Sequence, residues 1–223
     1  MEKNSANSAG YRAKTAYQDE KEVMTYDSAR FKSLKGRITD WLEKRAVCHA
    51  LAVVPPGSRV LDIPCGTGRI TALLLQLGYR TVGADISAGM LNLAQKALEK
   101  FENLESLDEA DAEKLPYKNE EFDAVTSIRL MNHLPPNIRV NVLKEMARVS
   151  RLAVIVSHCN PRSISGIKRR IKYLFKPPHA PWNPAAYEQV KKEAAEAGLY
   201  IAAVFPILGP IAETNVYLLR KAS

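Results

Sequence analysis

A glycine turn preceded by an acid is the feature of this 223-residue sequence with the most chemical content. Residues 60–70 place an apolar pair and Asp62 before Gly66 and Gly68, and an apolar run with helical spacing follows. Glycine has no Cβ, so a ligand can approach the backbone of such a turn closely. The start of the next helix offers unpaired N–H groups and a partial positive charge. The pattern therefore predicts a strand, a turn and a helix that form a ligand crevice, in which Asp62 favours an ammonium group over a pyrophosphate.

A second acid follows at the end of the next predicted strand, Arg80–Asp85. In doubly wound folds an acid roughly 20 residues after the glycine turn binds ribose hydroxyls, and one carboxylate can accept hydrogen bonds from two vicinal hydroxyls. The alternative is that Asp85 is only a helix cap. Ser87 weakens this alternative, because it can cap the next helix itself.

The elements that would position these residues alternate between strand and helix patterns. Strands are predicted near 59–63, 80–85, 121–129 and 152–157, and helices near 70–77, 90–100 and 135–150. A helix at 184–198 then precedes two strand-like runs, 200–206 and 215–220, with no helix between them. This order predicts an α/β fold with a doubly wound, mostly parallel sheet and an antiparallel hairpin at one edge.

The composition bounds the class of protein. Hydrophobic residues make up 46% and charged residues 25% of the chain, as in globular proteins, and we expect one domain over residues 15–223 after a flexible polar arm at 1–14. The sequence has neither a membrane-spanning apolar run nor the apolar core of a secretory signal. Three cysteines without metal-ligand spacing favour a reducing, cytoplasmic setting. The net charge of +8 allows an acidic small molecule, an anionic lipid surface or a nucleic acid as partner.

Four ordered motifs between about residues 43 and 157 resemble those of class I S-adenosylmethionine-dependent methyltransferases. They are Val60-Leu61-Asp62-Ile63-Pro64-Cys65-Gly66-Thr67-Gly68, then Gly83-Ala84-Asp85-Ile86-Ser87 with Met90-Leu91, then Asp111-Ala112-Glu113-Lys114-Leu115-Pro116, and lastly Phe122-Asp123-Ala124-Val125. The resemblance is greatest to members that act on small molecules, quinones, lipids and sugars. It implies a Rossmann-like, seven-stranded sheet with a small helical cap, and S-adenosylmethionine as the cofactor.

The resemblance also implies roles for individual residues. The methionine end of the cofactor would be held by Asp62, Pro64, Cys65, Gly66 and Gly68. The ribose and adenine would be contacted by Asp85, Ile86, Met90, Asp111 and Ala112. The sulfonium side would be faced by Ile128, with Arg37 closing from the N-terminal side. Pro64 departs from the family pattern, in which a small residue or glycine is common, and we expect it to alter the turn.

The methyl acceptor is less constrained by the sequence. The chain lacks both the Asn/Asp-Pro-Pro-aromatic motif of base-methylating and glutamine-methylating enzymes and a nucleophilic cysteine after the fourth strand. A hydroxyl is therefore the expected acceptor, ahead of carbon or an amine. His133 is the candidate general base, because its imidazole can take a proton near neutral pH; the alternative is a packing role. Arg129 would orient an anionic acceptor or form an ion pair.

A basic insert at about 160–183 is the most individual part of the chain. Its apolar residues fall at helical spacing, and lysines and arginines occupy the other faces. Such a segment suits the inner surface of an anionic membrane, the phosphates of a lipid, glycan or RNA, or a solvated cap whose apolar side packs on the domain. The residues expected to face the acceptor are Tyr26, Arg30, His158 and Trp182. The alternatives left open are an RNA-directed methyltransferase, an NAD-type oxidoreductase and a non-catalytic binding protein.

Overall fold

The computed structural model describes residues 33–175 and 182–222. We number the described elements in chain order. The helices are α1 (Leu34–Leu51), α2 (Arg69–Gln76), α3 (Ala88–Leu98), α4 (Pro136–Val149), α5 (Ile164–Phe175) and α6 (Tyr187–Glu196), with a short 3₁₀ turn at Met131–His133. The strands are β1 (Arg59–Asp62), β2 (Arg80–Asp85), β3 (Leu104–Glu109), β4 (Phe122–Ser127), β5 (Ser150–Cys159), β6 (Leu199–Pro206) and β7 (Thr214–Lys221).

The seven strands form one sheet in the order β3-β2-β1-β4-β5-β7-β6. Strands β1 to β5 run parallel to one another, whereas β7 runs antiparallel to both β5 and β6. The order reverses between β1 and β4, and in open α/β sheets such a switch point is where ligands bind, at the carboxyl ends of the strands. The predicted fold class is confirmed, including the antiparallel last hairpin.

Both faces of the sheet are covered by helices. Val142, Leu143 and Met146 of α4 pack with α6 on one face. On the other face, α1 and α2 form a second cluster around Ile70 and Leu74. These helices contribute apolar residues three or four positions apart, and the central strands β1 and β4 are almost entirely buried between the two layers.

One strand escaped prediction from the sequence. β3 reads Leu-Glu-Ser-Leu-Asp-Glu, and its side chains are half-buried or exposed, because it lies at the edge of the sheet. The prediction that Ser87 caps a helix is confirmed, because its Oγ accepts a hydrogen bond from the backbone N–H of Met90 at 3.3 Å. No helix in residues 33–175 or 182–222 has the length and apolarity to cross a membrane.

Candidate active site

The glycine turn lies at the carboxyl end of β1. Gly66 and Gly68 have φ values of +55° and +85°, a region that glycine adopts without steric cost. A Cβ added at Gly66 would meet no atom within 4 Å, so the space beside the turn is open. α2 begins directly after Gly68 without a side-chain cap. Backbone donors for a ligand are therefore expected at the start of α2 and not in the turn, because the N–H groups of Gly66 and Gly68 already donate to Asp85 and to the Cys65 carbonyl. The peptide bond before Pro64 is cis.

Asp85 stands beside this turn at the end of β2. One carboxylate oxygen accepts a hydrogen bond from the backbone N–H of Gly66 at 2.9 Å, and the other accepts from Ser87 N–H at 2.9 Å. Burial raises the pKa of Asp85, and the hydrogen bonds from Ser87, Gly66 and Ile86 oppose that rise. Each oxygen keeps acceptor capacity, since a carboxylate has about four lone-pair sites. The two sequence motifs are thus joined in one crevice, as predicted.

Asp62 is almost completely buried beneath the turn. Its carboxylate accepts hydrogen bonds from the hydroxyls of Thr71 on α2, at 2.7 Å, and Thr126 on β4, at 2.8 Å. Burial raises its pKa to about 6, against the opposing effect of the two threonine hydroxyls. The carboxylate therefore ties β1, α2 and β4 together where the turn starts. A contact with the cofactor ammonium stays a prediction.

The residues predicted for the adenine side surround the ends of β2 and β3. Ile86 is half-buried, whereas Met90 is buried in the first turn of α3. The backbone N–H of Ala110 donates to the Asp85 carbonyl at 3.0 Å, which brings the half-buried Asp111 and Ala112 next to Asp85. Asp111 Oδ1 also accepts a hydrogen bond from Glu113 N–H at 3.0 Å.

Cys65 follows the cis bond and points into the interior. The backbone N–H of Cys65 donates to the Ala84 carbonyl at 2.8 Å, which anchors the turn on β2. Burial raises the pKa of its thiol, and the negative charge of Asp62 adds to that rise. Cys65 therefore contributes its backbone to the turn, and its thiol is a buried neutral group.

An ion-pair cluster lies where β4 ends. Ile128 is buried, and Arg129 follows it with a φ of +71°, which is uncommon for a residue with a side chain. Arg129 Nε donates to the fully buried carboxylate of Glu43 at 2.9 Å, and its backbone N–H donates to Ser157 Oγ at 2.7 Å. Arg69 donates to the same Glu43 carboxylate at 2.6 Å. Of the two roles considered for Arg129, the ion pair is the one present in the structure.

His133 ends the 3₁₀ turn that follows β4 and is half-buried. Its neighbour Asn132 fixes this turn, because the Asn132 side-chain oxygen accepts a hydrogen bond from the backbone N–H of Cys159 at the end of β5. The Asn132 carbonyl accepts from Asn183 N–H at 2.7 Å. His133 therefore lies at the carboxyl edge of the sheet, on an element held from two sides. Its role as a base stays a prediction.

His158 does not have the position expected from the sequence. β5 continues to Cys159, so His158 lies inside the strand instead of after it, and its side chain is fully buried. The imidazole packs edge-on against Tyr217 at a centroid distance of 5.6 Å. Burial, together with the charge of Arg139, lowers its pKa to about 3. The assignment of His158 to the acceptor side is wrong, because a neutral imidazole enclosed in the sheet has no accessible surface.

The remaining predicted residues lie at the periphery. Trp182 packs edge-on against Tyr173 of α5, with Arg169 over its ring at 5.6 Å. Arg37 is exposed on the first turns of α1. Tyr26 and Arg30 lie outside the described residues, as does the arm at 1–14.

Residues 60–152 match the model of a family described as a methyltransferase domain. This segment contains β1 to β4, the glycine turn, Asp85 and the 3₁₀ turn that carries His133. Over this stretch the chain is therefore similar to a methyltransferase domain.

Individual proteins are similar to this chain in sequence or in structure. Methyltransferase GfsG from Streptomyces halstedii is 41% identical over 44% of this chain and 36% of its own length. A demethylmenaquinone methyltransferase from Clavibacter sepedonicus is 35% identical over 55% of this chain and 49% of its own length. This chain thus spans half or less of the length of these two relatives. The crystal structure of magnesium protoporphyrin IX methyltransferase from Synechocystis PCC 6803, with bound SAH, has a TM-score of 0.75 at 20% identity and covers 94% of this chain and all of that one.

Three parts of the candidate site could not be predicted from the sequence patterns used above: Glu43, the Thr71–Thr126 pair and Asn132. Glu43 stands in phase with the buried Ala46, Val47 and Ala50 on α1, which is a signal that could have marked it as a buried acid. The threonines carried no such signal, because only the packing of α2 against β1 and β4 brings their hydroxyls to Asp62.

Proposed function

We propose that this chain transfers a methyl group from S-adenosylmethionine to a hydroxyl oxygen, or less readily a carbon or amine, of a small-molecule acceptor, including lipid-linked and sugar-bearing molecules. The observation that carries this proposal is the 2.9 Å hydrogen bond between Asp85 and the Gly66 N–H at the topological switch point. It supports the assignment of Asp85 to the ribose, because it sets this carboxylate beside a backbone that a ligand can approach closely.

The residues present fit the cofactor. The open space beside Gly66 suits a ligand lying on the backbone, and the uncapped start of α2 suits the carboxylate of a methionine. Asp85 would accept hydrogen bonds from the ribose hydroxyls with its remaining lone pairs. Ile86 and Met90 would pack on the adenine, and Asp111 would accept from its amino group. When bound, S-adenosylmethionine supplies a methyl group on a sulfonium, which is a good leaving group.

His133 is the group proposed to hold the proton of the acceptor hydroxyl. The 3₁₀ turn places it after β4, at the same edge of the sheet as the glycine turn, and Asn132 fixes that turn on β5. Displacement at a sulfonium needs little acid–base chemistry, so most of the rate enhancement would come from holding the nucleophile in line. A general base would add a factor of about 10² or more.

An NAD-type oxidoreductase is supported less well. A dinucleotide would bring its pyrophosphate to the turn, beneath which the Asp62 carboxylate is buried. With a pKa of about 6, Asp62 is largely ionised at neutral pH and would repel that group. The turn also lacks the third glycine of the dinucleotide fingerprint.

Isothermal titration with S-adenosylhomocysteine tests the cofactor assignment. We expect saturable binding by the wild type and no binding of NADH. Asp85→Asn should weaken S-adenosylhomocysteine binding about tenfold or more, because it removes the charge that receives the ribose hydroxyls. Asp123→Asn is the matched control: Asp123 lies on β4 near its amino end, where it accepts a hydrogen bond from Arg59 N–H at 2.8 Å. Undetectable S-adenosylhomocysteine binding by the wild type would refute the proposal.

Radiolabelled S-adenosylmethionine incubated with fractionated small-molecule and lipid extracts tests the transfer itself. We expect label to enter one fraction. His133→Gln should slow this transfer about 100-fold while leaving S-adenosylhomocysteine affinity unchanged. An undiminished rate would remove His133 from the reaction, and label in an RNA fraction would overturn the small-molecule assignment.

A further inference from the structure

The apolar side of α5 faces solvent. The helix packs on the domain through the opposite side, where Gly166 is buried and a Cβ at that position would meet the Asn160 carbonyl at 2.5 Å. Tyr173 lies on this packed side against Trp182. The apolar stripe is 48% to 84% exposed and consists of Ile164, Ile167, Ile171, Leu174 and Phe175. Of the alternatives considered for the basic insert, a cap helix with its apolar side on the domain is therefore contradicted.

The loop between β6 and β7 extends this stripe. The backbone N–H groups of Ile164 and Ser165 donate to the carbonyls of Pro210 and Ile211 at 3.0 and 3.1 Å, so the loop is fixed to the start of α5. Ile211 and Leu208 are also about half exposed. Two elements far apart in sequence thus present one apolar patch.

Basic side chains border the stripe and acids are absent from it. At about 100° per residue, Lys168 and Lys172 fall along one border of the stripe and Arg170 along the other. All three are exposed. The α5 sequence, Ile-Ser-Gly-Ile-Lys-Arg-Arg-Ile-Lys-Tyr-Leu-Phe, contains no acidic residue. Among the described residues, Arg169 of α5 pairs with an acid of the domain, Glu213 just before β7, and so belongs to the packed side.

We propose that this α5 surface, formed by the stripe, Leu208, Ile211 and the three bordering cations, lies on an anionic lipid bilayer. An apolar face flanked by lysine and arginine matches the boundary between acyl chains and negative headgroups. RNA fits less well, because the most exposed residues are Leu174 and Phe175, which offer nothing to a phosphate. Two-fold pairing of the same face would set cations against cations.

A groove lies between α5 and Trp182, along this surface. It has a volume of about 390 Å³ and is lined by Ile167, Arg170, Ile171, Tyr173, Leu174 and Trp182. The residue after Trp182 donates its N–H to the Asn132 carbonyl, next to His133. The bilayer contact does not depend on methyl transfer. If the proposed function holds, the groove assigns the acceptor to molecules with an apolar tail that remains in the membrane.

Sedimentation with vesicles tests the α5 surface. We expect the wild type to bind vesicles of mixed phosphatidylcholine and phosphatidylglycerol and to lose binding as salt is raised. Replacing both exposed side chains, Leu174→Ser with Phe175→Ser, should weaken binding about tenfold or more, because they supply the most accessible apolar area. Lys168→Gln with Lys172→Gln should weaken it about fivefold per lysine.

Two matched control variants test whether vesicle binding needs this surface or only exposed lysines and leucines anywhere on the protein. Lys191→Gln with Lys192→Gln removes two exposed lysines from α6, and Leu77→Ser removes an exposed leucine after α2; both should bind as the wild type does. Equal binding of neutral and anionic vesicles, or unchanged binding by the Leu174→Ser, Phe175→Ser variant, would overturn the proposal. So would tRNA binding or concentration-dependent dimerisation without vesicle binding.

S-adenosylhomocysteine affinity is measured on the same variants and should not change. Intact affinity without vesicle binding refutes the membrane surface alone. Vesicle binding without S-adenosylhomocysteine affinity refutes the proposed function and leaves the membrane surface standing.

Discussion

Glu43 offers the sharpest test of how the site is held together. Its carboxylate is fully buried, and it receives hydrogen bonds from Arg69, the first residue of α2, and from Arg129, which follows β4. The arginine side chains are themselves only 16% and 18% exposed. Glu43→Gln keeps the volume and one oxygen but leaves two guanidinium groups close together, with Asp40 as the remaining carboxylate on Arg69.

The expected loss follows from the burial. Breaking a buried ion pair by removing one partner costs about 3–5 kcal/mol. The partial exposure of both arginines, and the Asp40 contact at 2.6 Å, reduce this cost to about 2–3 kcal/mol. In a chain of this length that loss lowers Tm by roughly 4–12 °C. Urea unfolding followed by circular dichroism measures the free energy directly.

Glu196→Gln is the matched control for this experiment. Glu196 also faces a cation, Lys192, but at 3.9 Å and with both side chains largely exposed. Its replacement should change the free energy of unfolding by less than about 0.5 kcal/mol. If Glu43→Gln is as stable as Glu196→Gln, the buried cluster does not stabilise the fold and the reasoning fails.

Two further changes test the turn and the core. In urea unfolding, Gly68→Ala should lower the free energy of unfolding by at least about 1 kcal/mol more than Gly78→Ala does. Both glycines have φ near +85°, but a Cβ at Gly68 would meet Leu98 Cδ1 at 2.9 Å, whereas a Cβ at Gly78 would meet no atom within 4 Å. Equal losses in the two variants would show that the contact with Leu98 relaxes without cost. His158→Phe should flatten the acid side of the stability curve. The folded pKa of His158, about 3, lies below its ordinary 6.5, so its contribution is complete above pH 6.5 and is lost as the pH falls towards 3. The wild type should thus lose about 2 kcal/mol more than the variant between pH 6.5 and about 5; parallel curves would contradict a buried neutral imidazole.

Local patterns were sufficient for the elements that carry the residues predicted to bind the cofactor. β2 was predicted to the residue, because a β-branched run ends at an acid and a capping serine follows at once. The glycine turn could be predicted from two positions alone, because glycine has no side chain. These features are encoded within a few residues of chain, so the sequence states them directly.

β3 and β5 are the strands that local sequence patterns did not predict correctly. β3 has polar residues at four of six positions because an edge strand buries little, and its pairing with β2 supplies the order that its own sequence does not. The length of β5 was underestimated because His158, a polar residue, stays inside the strand through pairing with β7.

The sequence by itself determined the class of fold, the glycine turn and the acid that follows it on β2, and the amphipathic character of α5. Only the tertiary structure decided that Arg129 pairs with Glu43, 86 residues away, and that Asp62 lies between two threonine hydroxyls. It also decided that the apolar side of α5 is turned outward, since Gly166 lets the other side approach the backbone. Helical spacing tells which residues share a face, whereas the partner of that face depends on chain segments that meet only after folding.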